Sequence, residues 1–338
     1  MTTSTQIQLA SRPRGWPTHD DFRTVTVDLP DLAEGQVRVA NEFISVDPYM
    51  RGRMNAGRSY IPPFGVDETM TGAAVGRLVE SRSDAHPVGA VVLHNDGWRD
   101  IAQGDARQFR VVQEMEGVPV SAYLGILGTT GLTAYVGLLH IGRFQAGESV
   151  FVSGAAGSVG SAVGQIATRL GAAKVVGSAG SDAKVATCIE RYGFDAAVNY
   201  KDGPIRELLR EHFGAENGEG IDVYFDNVGG DHLEAALDLM NDGGRLALCG
   251  AISSYNATER TPGPDNMWHA ISRGLTLQGF TVNNYMHLFS EFADTVGPWV
   301  ASGELTFDET VVEGIDNSVD AFLDLMKGAN TGKMLVRI

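Results

Sequence analysis

The sequence predicts an α/β fold in which a doubly wound parallel sheet is inserted into a β-rich domain. Three observations carry that prediction. A β-branched run at residues 148–153 breaks into glycines and then into a helical pattern. From about residue 129 onward, strand-like and helix-like segments alternate, the texture of a parallel sheet with crossover helices. At the C-terminus the texture returns to strand. Together these divide the 338-residue chain into a β-rich domain of residues 1–128 and 301–338 and an inserted domain of residues 129–300.

Taken in order, the β-rich part offers short apolar or β-branched runs at Thr24–Asp28, Gln36–Ala40, Ala73–Val79 and Ala90–Leu93, punctuated by Pro30, Gly35, Pro48, Pro62, Pro63, Gly72 and Gly89. The inserted part offers strands at 148–153, 174–178, 196–199, 221–226, 244–249 and 276–280. Helices are expected between them at 182–192, 204–213 and 231–240. The last piece offers a strand at 310–313, a helix near 317–328 and a strand from Lys333.

Composition excludes several classes. A net charge of −16 argues against a nucleic-acid partner or an anionic membrane surface. Hydrophobic residues make up 43% and charged residues 20%, so a packed core is expected rather than disorder. Cys188 and Cys249 are too few for a disulfide framework or a cysteine-rich zinc site. The N-terminus lacks the basic start and apolar stretch of a signal peptide, and no apolar run reaches the ~18 residues of a membrane span. A soluble, cytoplasmic protein is expected.

The stretch Phe151-Val-Ser-Gly-Ala-Ala-Gly-Ser-Val-Gly160 places Gly154, Gly157 and Gly160 between a strand and a helix. That arrangement brings a pyrophosphate onto a helix N-terminus, with glycines allowing close backbone approach. Ala155 stands where the first glycine of the commoner G-x-G-x-x-G pattern falls. A second strand follows Gly171 and ends in Ser178-Ala-Gly-Ser181 without a carboxylate, the first being Asp182. A missing carboxylate removes repulsion against a ribose 2′-phosphate. Lys184 supplies a matching charge and Ser181 a hydrogen bond, so NADPH is preferred over NADH. The simpler account makes Ser181-Asp182 a helix cap and Lys184 a solvated lysine; both can hold together.

Eight motifs carry a family resemblance in order: Ser45-Val-Asp-Pro-Tyr-Met-Arg51, Gly97-Trp98, Leu132-Thr-Ala-Tyr135, Ala155-Ala-Gly-Ser-Val-Gly160, Val198-Asn-Tyr-Lys201, Tyr224-Phe-Asp-Asn-Val-Gly-Gly230, Cys249-Gly-Ala-Ile-Ser-Ser-Tyr-Asn256 and Gly332-Lys-Met-Leu-Val-Arg337. From about Ser45 onward the chain resembles the zinc-independent prostaglandin reductase / leukotriene B4 12-hydroxydehydrogenase family of the medium-chain dehydrogenase/reductases. That family includes plant double-bond reductases and bacterial curcumin reductases. The resemblance implies a GroES-like catalytic domain for the β-rich part and a Rossmann domain for the insert. Zinc-bearing relatives use Cys, His and Glu ligands. Here Asp67-Glu-Thr-Met-Thr-Gly72 stands where Gly-His-Glu would be expected, and the eight histidines are scattered, so no metal is expected.

The implied reaction is NADPH-dependent reduction of the C=C bond of an α,β-unsaturated ketone or aldehyde, as in 2-alkenone, enal, curcumin or 15-oxoprostaglandin reduction. Hydride goes to the β-carbon, and charge develops on an enolate oxygen that a donor stabilises. Tyr255, beyond a strand end in Ser253-Ser-Tyr-Asn256, is the candidate catalytic donor, a neutral phenol with an ordinary pKa near ~10; the alternative is a packed loop aromatic. The proton source stays open between Tyr255, water and the coenzyme ribose.

By resemblance, Gly157, Ser158, Val159 and Gly160 form the pyrophosphate turn, and Lys184 and Tyr200 meet the 2′-phosphate. Asn227, Cys249, Gly250, Ala251, Ile252, Ser253, Phe280, Thr281, Val282 and Asn330 are the remaining coenzyme contacts. Strand-end turn chemistry is the plainer account of Tyr200 and Asn227, and core packing that of Phe280. Tyr49, Tyr60 and Trp98 are candidates for an aromatic substrate wall, with Met50 and Met54 as filler; the plainer account of such isolated aromatics is core packing. Arg51 either steers an acidic substrate tail or makes a surface ion pair. Thr129-Thr-Gly131 departs from the family's proline before this glycine. The competing readings are a quinone reductase and a non-catalytic NADPH-binding structural protein. A homodimer is implied, paired along the sheet edge at 276–282.

Overall fold

The computed structural model describes residues 2–57, 59–214 and 218–338. In chain order it holds β1 (Thr2–Leu9), β2 (Phe22–Leu29), β3 (Gln36–Ser45), α1 (Tyr49–Arg53), β4 (Ala74–Ser81), β5 (Val91–His94), β6 (Ile101–Asp105) and β7 (Arg110–Val111). Next come α2 (Thr129–Val136), β8 (Ser149–Val152), α3 (Ser158–Arg169), β9 (Lys174–Ala179), α4 (Asp182–Glu190), β10 (Ala196–Asn199), α5 (Ile205–Arg210), β11 (Ile221–Asp226), α6 (Gly230–Leu239) and β12 (Met240–Leu248). The chain ends with α7 (Trp268–Ser272), β13 (Thr276–Gly279), α8 (Phe289–Ala301), β14 (Glu309–Glu313), α9 (Ser318–Met326) and β15 (Lys333–Arg337). Two compact units result: Met1–Gly125 with Glu309–Ile338, and Ile126–Asp308. The second unit extends past the expected end at residue 300. Gln165 of α3 binds both the carbonyl and the amide of Thr306, and Tyr192 donates to Asp308 at 2.6 Å.

In the first unit, β3 pairs antiparallel with β4, β6 and β15, and β14 joins β15 in parallel. One face buries Val37, Val39, Leu78, Val92, Ala102 and Phe109, so burying apolar area favours this register. The strand β1 has no counterpart in the sequence expectations. Its inward positions include Ser4 and Gln6, which blur the apolar alternation. Ser4 meets the need for a partner by donating to Ile101 at 2.8 Å.

The second unit holds six parallel strands in the order β10-β9-β8-β11-β12-β13. The order reverses between β8 and β11, and the crevice beyond their carboxyl ends is where doubly wound sheets take ligands. Phe151, Tyr224, Val176 and Leu246 sit in one core cluster with Ala235, Ala236 and Leu239 of α6. This is why β8 and β11 read as nearly unbroken apolar runs. The strand expected at 244–249 starts earlier, at Met240, with a register shift against β11 between Ile221 and Val223. The expected helix at 204–213 ends at Arg210. Thr129-Thr130 form the first turn of α2, where proline and threonine are both tolerated.

Candidate active site

The glycine turn follows β8 directly. Gly154 takes a left-handed φ of +63°, and the Gly157 amide closes the turn onto the Gly154 carbonyl at 3.0 Å. Gly157 is the N-cap of the twelve-residue α3, and no side chain caps it. The first amides of α3, at Ser158, Val159 and Gly160, therefore lie at the positive end of a helix dipole with no side-chain cap, an arrangement suited to an anion. A Cβ on Gly160 would stand 2.4 Å from the Gly154 oxygen and 2.9 Å from the Ala155 Cα. Only glycine permits that approach.

At the next strand end, Ser181 caps α4 by accepting from the Lys184 amide at 3.4 Å. Asp182, the first carboxylate after β9, is taken up by the Asn199 side chain at 2.8 Å. Tyr200 follows β10, with its amide on the Ala179 carbonyl at 3.1 Å. Its hydroxyl fills the space over Gly180, 2.6 Å from where a Cβ would sit. Burial lowers the Lys184 ammonium below its usual pKa, and the Lys201 charge lowers it further. Ser181, Lys184 and Tyr200 thus gather at one place. Lys201 joins them without having been singled out; its signal was its position directly after Tyr200.

The end of β11 is built around a buried carboxylate. Asp226, 1% exposed, accepts on one oxygen from Tyr224 at 2.7 Å, Ser153 at 3.2 Å, and the amides of Val228 and Gly229 at 3.0 and 2.8 Å. Burial raises its pKa, and these donors oppose the rise. Asn227 is tied to the glycine turn, donating to the Ser153 carbonyl at 2.8 Å. The amides of Cys249 and Gly250 both meet the Asp226 carbonyl at 2.9 Å. Ile252 and Ser253 continue onto the Asn227 and Val228 carbonyls, and the Ser253 hydroxyl binds the latter at 2.6 Å.

This loop ends at Tyr255. Its phenol oxygen accepts from the Ala251 amide at 3.5 Å. Burial raises the phenol's pKa, with the Ala251 amide opposing, so Tyr255 is a neutral donor near pH 7. Cys249 is pushed up to about 12 by burial and the Asp226 charge, so its thiol is protonated and inert. Asp226 lies inside the Tyr224–Gly230 motif, where the sequence alone gives it no role. The available signal was Tyr224 and Asp226 at i and i+2, hence on one face of a central strand.

Other candidates sit differently. Phe280 packs edge-on against Phe225 and Tyr285, with centroids 6.3 and 6.4 Å away. Thr281 and Val282 follow it half-buried.

Within the first unit, Tyr49 and Tyr60 gather around Arg53. The Arg53 guanidinium stands 3.9 Å over the Phe64 ring and donates to the Pro62 and Thr71 carbonyls. Burial raises the Tyr49 phenol's pKa, and Asp47 adds to the rise. Tyr60 is exposed. Trp98 is a correction to the expected wall. It is fully buried, stacked on Phe22 and met edge-on by Phe322, so it packs the core. Arg51 is another: at 2% exposure it donates to the Gly15 carbonyl at 2.7 Å and to Asn55 at 2.8 Å and feels the charge of the buried Asp21, so it is not a surface residue. Met50 and Met54 are core residues. Asn330 is buried and holds the Gly332 carbonyl at 2.8 Å.

Among the described residues, no group of three or more His, Cys, Asp or Glu side chains is placed to hold a metal ion, and no helix is long and apolar enough to cross a membrane. Residues 5–112 match a family model described as the N-terminal domain of oxidoreductase, and residues 158–301 one described as zinc-binding dehydrogenase. The chain is 38% identical to the NADPH-dependent curcumin reductase of Escherichia coli (strain K12), over 98% of this chain and 95% of that protein. It is 42% identical to prostaglandin reductase 1 of Bos taurus, over 96% of this chain and 95% of that one. CurA from Vibrio vulnificus, solved in complex with NADPH, superposes with a TM-score of 0.92 at 39% identity, covering 98% of each chain. The chain belongs to the zinc-independent double-bond reductase family of the medium-chain dehydrogenase/reductases.

Proposed function

We propose that this protein reduces the C=C bond of α,β-unsaturated ketones and aldehydes with NADPH. The observation that carries the reading is Tyr255, a neutral phenol on a loop bonded to the β11 turn, whose Asn227 and Asp226 are tied in turn to Ser153 before the glycine turn. The residues present fit a phosphorylated dinucleotide. The uncapped start of α3 suits the pyrophosphate, and a Cβ on Gly160 would fill its cradle. Lys184, Ser181, Tyr200 and Lys201 offer the 2′-phosphate two cations and two hydroxyls, with Asp182 turned away onto Asn199.

When bound, NADPH supplies the hydride that goes to the β-carbon. Ser158, Val159 and Gly160 would hold its pyrophosphate on their amides. Tyr255 accepts from the Ala251 amide, which fixes the phenol oxygen and leaves the O–H proton to donate to the substrate carbonyl. Enolate charge develops on that oxygen, so a preset donor stabilises the transition state more than the ground state. Within the first unit, Tyr49 and Tyr60, grouped at Arg53, are our candidates for an aromatic substrate wall.

The test is NADPH oxidation, followed by absorbance, against an enal, an enone, an aryl dienone and a benzoquinone, repeated with NADH. Turnover of the conjugated carbonyls with NADPH is expected. Turnover of the quinone alone would favour a quinone reductase, and coenzyme binding without any turnover would favour a structural role. The protein works as a cytoplasmic homodimer in this reading. Support for the pairing is the outer strand β13, with Gln278 and Gly279 exposed, and the neighbouring α7, which exposes Trp268 at 67% and Ile271 at 74%.

A further inference from the structure

We propose that Asp226 is a positioning residue for Tyr255, acting through the turn from Asn227 to Gly230. The kinetic arm of the inference rests on the reading above; the structural arm does not.

This turn has little shape of its own. Gly229 and Gly230 both take left-handed φ values, +71° and +52°, and no side chain caps α6, which starts there. Glycine in this region costs much backbone entropy to hold in place. What gathers the turn is one carboxylate oxygen, on which the Val228 and Gly229 amides converge. That oxygen is itself held by Tyr224 of β11 and by Ser153, the residue directly after β8, at the two strand ends flanking the switch point. Ser153 also accepts from the Asn227 amide at 2.9 Å, so the network grips the turn from both sides.

The turn then serves as a template. Its successive carbonyls, those of Asp226, Asn227 and Val228, take the amides of Cys249, Gly250, Ile252 and Ser253. Tyr255 depends on that loop twice, through its amide on the Ile252 carbonyl at 3.3 Å and its phenol on the Ala251 amide at 3.5 Å. A short displacement of the phenol is costly, because stabilisation of developing charge needs a donor already in place. Removing the carboxylate also strands the buried Gly229 amide and the half-buried Val228 amide, so the turn must rearrange.

Hydrogen exchange of the coenzyme-free protein, followed by mass spectrometry, tests the structural arm. Asp226→Ala is expected to raise exchange across residues 249–255 by ~tenfold or more while α3 keeps its protection. Asp226→Asn keeps an acceptor oxygen at the same place and is expected to restore most of it. Should the alanine variant not fold, Asp226→Ser, whose hydroxyl is too short to reach the amides, is read in the same way. The kinetic test is a double-mutant cycle with Tyr255→Phe. The kcat loss from Asp226→Ala is expected to be ~tenfold alone and less than about twofold in the Tyr255→Phe background. Unchanged exchange at 249–255, exchange raised equally throughout the unit, or kcat losses that multiply independently would each overturn the inference. A wild-type protein inactive on every conjugated carbonyl refutes the functional reading alone, because the exchange result is unaffected by it.

Discussion

The two turns that meet at the switch point of the parallel sheet are held by opposite means. The turn after β8 is shaped by absence: a Cβ on Gly160 would collide with the Gly154 carbonyl, and no side chain occupies the start of α3. The turn after β11 is shaped by presence, four donors converging on one Asp226 oxygen. The first leaves its amides vacant for an anion. The second spends its amides internally and passes its carbonyls to the loop of Tyr255. Binding and chemistry are thereby separated, and substitutions in the two turns are expected to fail differently.

The largest effect is expected at Gly160. In Gly160→Ala the new Cβ meets backbone atoms at 2.4 and 2.9 Å, which cannot rotate away as a flexible side chain would. Thermal or urea unfolding is expected to show a loss of ~1–3 kcal/mol, the range for overpacking. NADPH affinity, read by fluorescence titration, is expected to fall as well. A variant with native stability and native affinity would mean that the turn is not sterically determined.

Tyr255→Phe sharpens the contrast from the other side. It removes a donor and nothing from the core, so stability and NADPH affinity are expected to hold while kcat falls ~10²-fold, the order seen when one oxyanion donor is lost. If KM for the enone rises and kcat stays, Tyr255 is a binding contact only.

How much of this was legible follows from the same contrast. A steric requirement leaves a mark in sequence: Gly154, Gly157 and Gly160 between an apolar strand and a helical pattern announce the turn. Six parallel strands follow from the alternation, because strands buried on both faces are unbroken apolar runs. An acceptor requirement leaves one Asp among many, and its role depends on Ser153, some seventy positions away in the chain. Trp98 and Arg51 are illegible for a related reason. An aromatic or a cation in a motif has the same spelling whether it faces a cleft or the core, and only packing puts Trp98 between Phe22 and Phe322. Strand β1 was missed because its inward face carries Ser4 and Gln6.

A smaller effect is expected at the coenzyme's far end. Lys184→Ala is expected to weaken NADPH ~tenfold, about the worth of one charge-assisted contact, and to leave NADH nearly untouched. Lys201 stays in place and limits the loss. An equal fall for both coenzymes would show that Lys184 supports the turn rather than the 2′-phosphate.

The mildest test is pH. Burial is the largest influence on the Tyr255 phenol and raises its pKa above the ordinary 10. The neutral, donating form is therefore retained as pH rises, and ionisation removes the donor only beyond the ordinary phenol range. The expected kcat profile is flat from about pH 7 to 9, with its alkaline limb above about pH 10. The Ala251 amide opposes the shift by favouring the phenolate, yet burial outweighs it, which fixes the direction. The limb should vanish in Tyr255→Phe while the residual rate stays flat. A limb near pH 8, or one that persists in the phenylalanine variant, would assign the titration to another group and separate the phenol from the chemical step.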